Sequence, residues 1–340
     1  MIAVQRTGEE RAQGMRIRSA ALPSPERFHC RLDDQPAFLV PPRLLPAALD
    51  PARMRSLIVS PHCWLSRYGS PPADIRACGP LLENFCWDEE AVVVADDVVG
   101  ALLPYSLGSA FRALTAGLRP GEPPRHPLPV AAAEVLTAAR VLLVPQDEEA
   151  RRDEWTRRLA VSSDIFRRND YAPVAGLLHP FHIGALRRYY RCLIRKGRLR
   201  LGDGQSPKRH VAHDETVARF FHRQLTAAVS AIAGERLKPS YVYLASYQSG
   251  AQLPRHTDRP QCEVSVTLLV DCSPEPELES PWPIHLETPA GVVTVYQAIG
   301  DGLVYRGRTL PHFRGILPEG CSSTSLFFHY VRESFDGPLH

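Results

Sequence analysis

Residues 247–263 read YQSGAQLPRHTDRPQCE, and they stand where the chain changes from helical to β-strand patterns. From Tyr241 onward, runs such as YVYLASY, CEVSVTLLV, GVVTVY and STSLFFHYV are rich in β-branched and aromatic residues and are separated by Pro, Gly and Ser clusters. Before the stretch, segments 183–197 and 215–234 place apolar residues at helical spacing, and each ends at a glycine. This order predicts an α+β fold, a double-stranded β-helix (jelly roll) with supporting helices.

The first half of the chain, residues 1–160, has a different composition. Short apolar runs alternate there with proline-dense breaks such as RPGEPPRHPLP, and segment 130–143 is dense enough in alanine and apolar residues for a buried helix. We predict a mostly helical or irregular region whose role is open. The chain is therefore divided into an N-terminal region, 1–160, and a jelly-roll domain, 161–340.

The opening stretch contains two candidate metal ligands. His256 and Asp258 are two residues apart, so on an extended strand both side chains project to the same face. His312 is the candidate third ligand, because it follows a Gly-Asp-Gly turn and a short strand in GDGLVYRGRTLPHFRG. Two histidines and one carboxylate can form a facial triad that holds iron(II) and leaves positions open. A single histidine in a strand-rich domain is more often a packed side chain, so the metal interpretation depends on the whole motif.

A wider motif surrounds these ligands. It comprises Tyr247, Gly250, His256, Asp258, Gly300, Asp301 and His312. In order and spacing it resembles the iron(II)/2-oxoglutarate-dependent oxygenases, particularly the prolyl-hydroxylase-like branch, over about residues 160–335. The resemblance implies that the three ligands hold iron(II) and that 2-oxoglutarate and molecular oxygen are consumed. The presence of Asp258 favours hydroxylation, desaturation or cyclisation over halogenation, because related halogenases lack this carboxylate.

One part of the family pattern is missing. The prolyl-hydroxylase-like pattern has an Arg or Lys about ten residues after the distal histidine, where it pairs with the far carboxylate of 2-oxoglutarate. This chain has Cys321, Ser322 and Ser323 there. Arg314 is the expected substitute, because two residues beyond the metal ligand His312 on a strand it points to the same face. Further hydrogen bonds to the co-substrate are expected from Tyr247, Ser322 and Thr324, and weaker candidate anchors are Arg259, Arg306, Arg308 and Arg332.

The sequence also predicts the surroundings of other polar residues in the C-terminal half. Glu263, Ser265 and Thr267 alternate with apolar residues, so their face lines either a pocket or solvent. The histidines of the polar segment KRHVAHDE, His210 and His213, are predicted to be solvated and not to bind metal. The histidine of LFFHYV, His329, is predicted to be structural or part of a pocket wall.

Composition argues against several other functions. The 40 basic and 37 acidic residues give a net charge of +3, and the arginines are spread along the chain, so charge does not support a nucleic-acid or membrane-surface role. The 8 cysteines form no CxxC pair, which favours neither a zinc site nor a disulfide framework and fits a reducing compartment. No stretch has the pattern of a secretory signal or of a spanning helix. We expect a cytoplasmic protein.

These observations lead to one main hypothesis and two alternatives. We expect an enzyme, an Fe(II)/2-oxoglutarate-dependent dioxygenase that hydroxylates, desaturates or cyclises a small molecule, amino acid or peptide. Arginine is abundant and lysine scarce, which is typical of a GC-rich bacterial genome and suggests specialised metabolism. The missing distal Arg or Lys leaves open an iron(II) oxygenase with the same triad that does not use 2-oxoglutarate. A jelly roll that binds a ligand without turnover is the second alternative.

Overall fold

The computed structural model describes residues 27–35, 40–45, 48–86 and 90–339. The helices are α1 (Pro51–Arg55), α2 (Ala73–Ala77), α3 (Ser109–Leu114), α4 (Val130–Ala138), α5 (Pro145–Asn169), α6 (Pro180–Arg195) and α7 (Thr216–Ala233), with short 3-10 turns at Pro42–Leu44, Ser66–Tyr68 and Gly79–Leu81. The strands are β1 (Ile58–Val59), β2 (Cys63–Leu65), β3 (Ala91–Asp96), β4 (Ala101–Ser106), β5 (Leu142–Leu143), β6 (Tyr171–Ala175), β7 (Arg200–Leu201), β8 (Arg209–His213), β9 (Leu237–Tyr247), β10 (Leu253–His256), β11 (Val264–Ser273), β12 (Ile284–Thr288), β13 (Gly291–Val295), β14 (Asp301–Tyr305), β15 (His312–Arg314) and β16 (Ser322–Arg332).

Two antiparallel sheets form the C-terminal half. The larger sheet has the strand order β6-β14-β11-β16-β9-β8-β7, and the smaller sheet has the order β10-β15-β12-β13. Two further sheets, β2-β3-β4 and β1-β5, are formed mainly by the first half of the chain. The result is a mixed α/β fold with large antiparallel sheets, in agreement with the helices and strands predicted from periodicity.

Both faces of the larger sheet are buried, as strand β16 illustrates. Leu326 and Phe328 belong to the core beneath the helices, whereas Phe327 between them belongs to a cluster on the opposite face. On that opposite face Leu303 of β14 packs with Ile284 of the smaller sheet. Because side chains alternate along a strand, one face of the larger sheet packs against helices and the other against the smaller sheet.

Helices α6 and α7 occupy the segments that were predicted as helical. The chain enters α6 through Pro180, and the His179 side chain accepts a hydrogen bond from a backbone N–H of the first turn. The Glu215 carboxylate does the same for α7, which ends at Gly234 with φ 70°. Both helices bury one apolar face in the main core. None of the described helices is long and apolar enough to cross a membrane.

The N-terminal region departs from its prediction in one segment. Strands β2, β3 and β4 form an antiparallel sheet in which Val92, Val93 and Val94 occupy the middle strand. Most of the described residues up to 160 are helical or irregular, as expected, but the expectation did not include this sheet, which forms because consecutive β-branched residues favour an extended strand. The buried helix predicted within 130–143 is present as α4.

Helix α5 runs across the predicted division at residue 160. One hydrophobic cluster contains Leu136 of α4, Phe166 of α5 and residues of α6, α7 and β11. The helical layer that supports the larger sheet therefore includes side chains from before and after residue 160. The division into two domains stays a prediction.

Buried histidines give the fold a pH dependence. Burial lowers the pKa of His182 and the pKa of His222 to about 3 in each case, well below the ordinary value. The folded protein keeps both side chains neutral, whereas the unfolded chain takes up protons below about pH 6.5. The contribution of these two histidines to the free energy of unfolding is therefore fully present above about pH 6.5. It is lost as the pH falls from there toward the pKa values of the folded state.

We expect His222→Gln to flatten this dependence. The amide can still donate to the His329 carbonyl, which His222 Nε2 contacts at 2.8 Å, but it takes up no proton. Between about pH 6.5 and 5, the slope of the unfolding free energy should decrease by up to about 1.4 kcal/mol per pH unit, the value for one proton. Urea titrations at several pH values measure the slope. The exposed His126→Gln is the control, and an unchanged slope in His222→Gln contradicts the expectation.

Candidate metal centre

A cavity of about 620 Å³ lies between the larger and the smaller sheet. Strands β8, β9, β14 and β16 form one wall, and strands β10 and β15 form the other. The loop after β10 completes the lining with Thr257, Asp258 and Arg259. All three predicted metal ligands, His256, Asp258 and His312, line this cavity.

The pairing of β10 with β15 brings these ligands together. His256, the last residue of β10, lies directly opposite His312, the first residue of β15. The ring centroids are 4.3 Å apart. Asp258 Oδ1 lies 3.7 Å from His256 Nε2 and 3.6 Å from His312 Nε2. Donor atoms of the three residues all lie within 4.8 Å of one another, close enough for small side-chain rotations to place them around one ion at roughly 2.0–2.2 Å each.

Backbone carbonyls orient both imidazoles. His256 Nδ1 lies 2.8 Å from the Pro254 carbonyl, and His312 Nδ1 lies 3.0 Å from the Leu310 carbonyl. A carbonyl only accepts, so each Nδ1 carries the proton and each Nε2 offers its lone pair to the centre. Burial lowers the pKa of His312, which favours the neutral form that binds metal. The Tyr305 hydroxyl lies 3.4 Å from His312 Nε2, a long and weak contact.

Asp258 is held from behind by Ser265. The Ser265 hydroxyl donates to Asp258 Oδ2 at 2.8 Å, and the Asp258 N–H donates to the Gly307 carbonyl at 2.8 Å. Because the hydroxyl proton is used in this way, His329 Nδ1, 2.9 Å away, donates to the Ser265 oxygen. Oδ2 is thus occupied, and Oδ1 faces the two histidines. Ser265 and Thr267 are buried between the sheets and are not among the residues that line the cavity, so their face is neither exposed to solvent nor part of the cavity wall.

A second group of possible ligands shares Asp258 and consists of Asp258, Cys262 and His329. It is less suited to a metal. His329 Nδ1 already contacts Ser265, and burial raises the pKa of Cys262 to about 12, so the sulfur stays a thiol. That thiol lies 3.1 Å from the Tyr241 hydroxyl. The set with two histidines is therefore the candidate metal centre.

Arg209 is a cavity residue that sequence analysis did not identify. It lies opposite Tyr247 in the β8–β9 pair, is 3% exposed, and donates to the Tyr247 hydroxyl at 2.7 Å. Its guanidinium also donates to Asp203, which accepts from Tyr243 as well. Burial opposes the charge of Asp203, but these hydrogen bonds outweigh it and hold the pKa of that carboxyl below its ordinary value. The alternation of Arg209, Val211 and the cavity residue His213 along β8 was the available signal.

Arg314, the predicted 2-oxoglutarate anchor, lies between the sheets. Its guanidinium donates to the Trp282 carbonyl at 2.6 Å and to Gln297 Oε1 at 3.0 Å, and it stands 4.9 Å from the centroid of the Trp282 ring. Burial lowers the pKa of Arg314 to about 10. Arg314 is not among the residues that line the cavity. Within the described residues, no carboxylate forms an ion pair with Arg314.

Only one of the other three residues predicted to contact 2-oxoglutarate lines the cavity. Tyr247 lines the cavity, whereas Ser322 and Thr324 are not among the lining residues. Thr324 instead donates to the Ser246 hydroxyl at 2.8 Å. The predicted roles of Ser322 and Thr324 stay predictions. Of the two histidines expected in solvent, His213 is exposed, as predicted, and stacks on Tyr241 at 4.8 Å at the cavity wall, whereas His210 is partly buried.

The chain was compared with known proteins. No family model and no curated protein matches its sequence. Solved structures similar to part of it include 2-oxoglutarate/iron(II) oxygenases. A prolyl-4-hydroxylase from Pseudomonas putida has 19% identity and a TM-score of 0.43, over 52% of this chain and 100% of that one. A 2-oxoglutarate/iron(II) oxygenase from Burkholderia pseudomallei has 12% identity and a TM-score of 0.42, over 53% and 92%. HygX from Streptomyces hygroscopicus, with nickel and 2-oxoglutarate bound, has 14% identity and a TM-score of 0.41, over 52% and 87%.

Gly307 permits the close approach of Asp258 and Ser265, and this generates a prediction. A Cβ at Gly307 would stand 2.1 Å from Asp258 Oδ2 and 2.6 Å from Ser265 Oγ, so the carboxylate would have to move. We expect Gly307→Ala to weaken Co(II) or Ni(II) binding about 10- to 100-fold, the range typical of lost support for a metal ligand. Isothermal titration calorimetry measures the affinity. Gly315→Ala is the matched control, because a Cβ there meets no atom within 4 Å. Equal affinities of the two variants contradict the prediction.

Proposed function

We propose that the chain is an Fe(II)/2-oxoglutarate-dependent dioxygenase whose metal is held by His256, Asp258 and His312. The observation that carries the proposal is the convergence of two imidazole Nε2 atoms and one carboxylate oxygen at the wall of a cavity large enough for an organic substrate. Two neutral imidazoles and a carboxylate suit iron(II) and leave further coordination positions. Bound iron(II), with 2-oxoglutarate as electron donor, supplies oxidation of the substrate by molecular oxygen.

The arrangement of the sheets supports the same proposal. Antiparallel strands on two facing sheets, with the cavity between them, fit a double-stranded β-helix, and we assign it to residues 161–340. The helices pack on the outer face of the larger sheet, and its inner face lies across the cavity from β10 and β15, the strands of the smaller sheet that carry His256 and His312. The described residues of the N-terminal region contribute core packing, and the region has no assigned chemical role.

The charge of Arg314 supports 2-oxoglutarate as the co-substrate. A guanidinium that is 4% exposed and contacts only neutral groups lacks the compensation that buried charges require. Arg209 differs, because Asp203 neutralises it. The far carboxylate of a dicarboxylate reaching past Tyr247 would supply the missing negative charge. We therefore propose Arg314 as the residue that binds the far carboxylate of 2-oxoglutarate. We assign to Arg209 a structural role in the polar part of the cavity wall.

We expect Arg314→Gln to raise the apparent KM for 2-oxoglutarate about 10- to 100-fold, because it removes a charge-assisted pair worth roughly 1.5–3 kcal/mol. Oxygen uptake as a function of 2-oxoglutarate concentration measures this. The control is Arg306→Gln, since Arg306 pairs with Asp170 and Glu235 outside the cavity. An effect of Arg306→Gln without one of Arg314→Gln would show that the anchor is misassigned.

The cavity walls favour an organic substrate with both polar and flat apolar parts. His213 and Tyr241 present stacked rings, and Arg200 and Arg259 are exposed lining residues. We propose a small molecule, amino acid or peptide of bacterial specialised metabolism that is hydroxylated, desaturated or cyclised. The cytoplasmic location proposed from the cysteine pattern is supported by the cysteines, which are free thiols in the structure.

The metal assignment is tested with Asp258→Ala. We expect this variant to bind Fe(II) at least about tenfold more weakly and to lose 2-oxoglutarate-dependent oxygen uptake, while its circular dichroism spectrum is unchanged. Iron content and oxygen uptake are measured with and without 2-oxoglutarate. Asp164→Ala, on the exposed side of α5, is the control. Full turnover by Asp258→Ala contradicts the proposed role of the three ligands.

A second candidate function is an iron(II) oxygenase with the same triad that draws its electrons from the substrate. The observation that favours it is the absence of Arg or Lys at positions 321–323. Oxygen uptake that needs Asp258 but not 2-oxoglutarate would select this candidate. Iron binding without any oxygen uptake would instead select the non-catalytic binding protein.

A further inference from the structure

A second cavity, of about 300 Å³, lies away from the candidate metal centre and shares no lining residue with the first. Its walls come from β4, α5, the loop that joins β6 to α6, and α7. We call it the α5–α7 cavity. Helix α5 separates it from solvent on one side, where Trp155 and Arg158 are only partly buried.

The walls of the α5–α7 cavity are mainly apolar. They include Val98, Leu102, Leu177, Phe221 and Leu225. Protein interiors are close-packed, and voids larger than a water molecule are few. At roughly 30 Å³ per water, this space corresponds to about ten non-hydrogen atoms, which is the size of a small organic ligand.

The imidazoles in the walls carry no charge. His179 Nε2 contacts the Ala138 carbonyl at 2.8 Å, and His182 Nε2 contacts the Pro104 carbonyl at 3.0 Å. Burial lowers the pKa of His179 to about 4 and the pKa of His182 to about 3. These two histidines therefore add no charge to the cavity, which suits an apolar group.

The rim of the cavity is positively charged at one point. Arg151 forms two hydrogen bonds to Asp96, and Glu154 pairs with Arg157, so these charges are compensated. Arg158 donates only to the Ala175 carbonyl and stands 5.8 Å from the centroid of the Trp155 ring. Across the part of the chain that the structure describes, Arg158 forms no ion pair with a carboxylate.

We propose that the α5–α7 cavity binds an amphipathic monocarboxylate. The apolar body, of about ten non-hydrogen atoms, fills the cavity, and the carboxylate pairs with Arg158 at the rim. Medium-chain fatty acids and arylalkanoic acids share this chemistry. The proposal is independent of the metal centre, because the two cavities have no residue in common.

Calorimetric titration of the full chain with decanoate and with 4-phenylbutyrate tests the proposal. We expect saturable one-site binding of at least one of them, and the stronger of the two identifies the type of apolar body. Butyrate, which is too short, and decylammonium, whose charge is reversed, should bind at least about tenfold more weakly. Absence of saturable binding by both acids, or equal binding of decanoate and decylammonium, overturns the proposal.

Paired variants locate the ligand. Ala228→Leu places a larger side chain at the cavity wall, whereas Ala227→Leu adds the same group on the exposed side of α7. We expect Ala228→Leu to weaken decanoate binding at least about tenfold and Ala227→Leu to leave it unchanged. Equal binding by these two variants overturns the assignment.

A second pair tests the charge and guards against misfolding of Ala228→Leu. Arg158→Gln should weaken decanoate binding about tenfold, and Arg157→Gln, one residue away and 67% exposed, should not. The metal-site variant Asp258→Ala should bind decanoate as the wild type does. Loss of decanoate binding in Asp258→Ala would place the ligand in the first cavity and overturn the proposal.

Discussion

The antiparallel pairing of β10 with β15 is the constraint on which the candidate metal centre depends. It sets His256 directly opposite His312, and the hydrogen bond from the Asp258 N–H to the Gly307 carbonyl then turns the carboxylate toward both rings. A shift of one residue would direct the side chains of β15 to the other face of the smaller sheet. The neighbouring strand β12, whose Leu286 pairs with His312, helps to fix this register by burying its apolar side chains between the sheets.

Two buried arginines near the cavity differ in how their charge is compensated. Arg209 lies in a closed network with Asp203 and two tyrosines, so it needs no ligand to be stable. Arg314 has only a carbonyl, an amide and an aromatic ring around it. An uncompensated buried charge is costly to fold, and such charges are retained where a ligand of opposite sign binds. Within the proposed function, this difference in charge compensation indicates a structural role for Arg209 and a ligand-binding role for Arg314.

Sequence patterns predicted the parts of this structure that depend on local periodicity. The glycine stops and apolar faces located α6 and α7, and the spacing of His256, Asp258 and His312 selected side chains that the structure brings together. The β2-β3-β4 sheet was missed because its strands are short and because a long, proline-containing segment separates β2 from β3. The support of Asp258 by Ser265 and His329 was beyond sequence reasoning, since it joins two strands that are paired only in the fold.

The tight packing around Asp258 has a consequence for the denticity of this ligand. Ser265 donates to Oδ2, and the Cα of Gly307 lies so close that not even a methyl group would fit against that oxygen. A metal held at the proposed centre would therefore be reached by Oδ1 but not by both oxygens, so the carboxylate would act as a monodentate ligand. Within the proposed function, one carboxylate oxygen in place of two would leave an additional position on the metal for the co-substrate or oxygen.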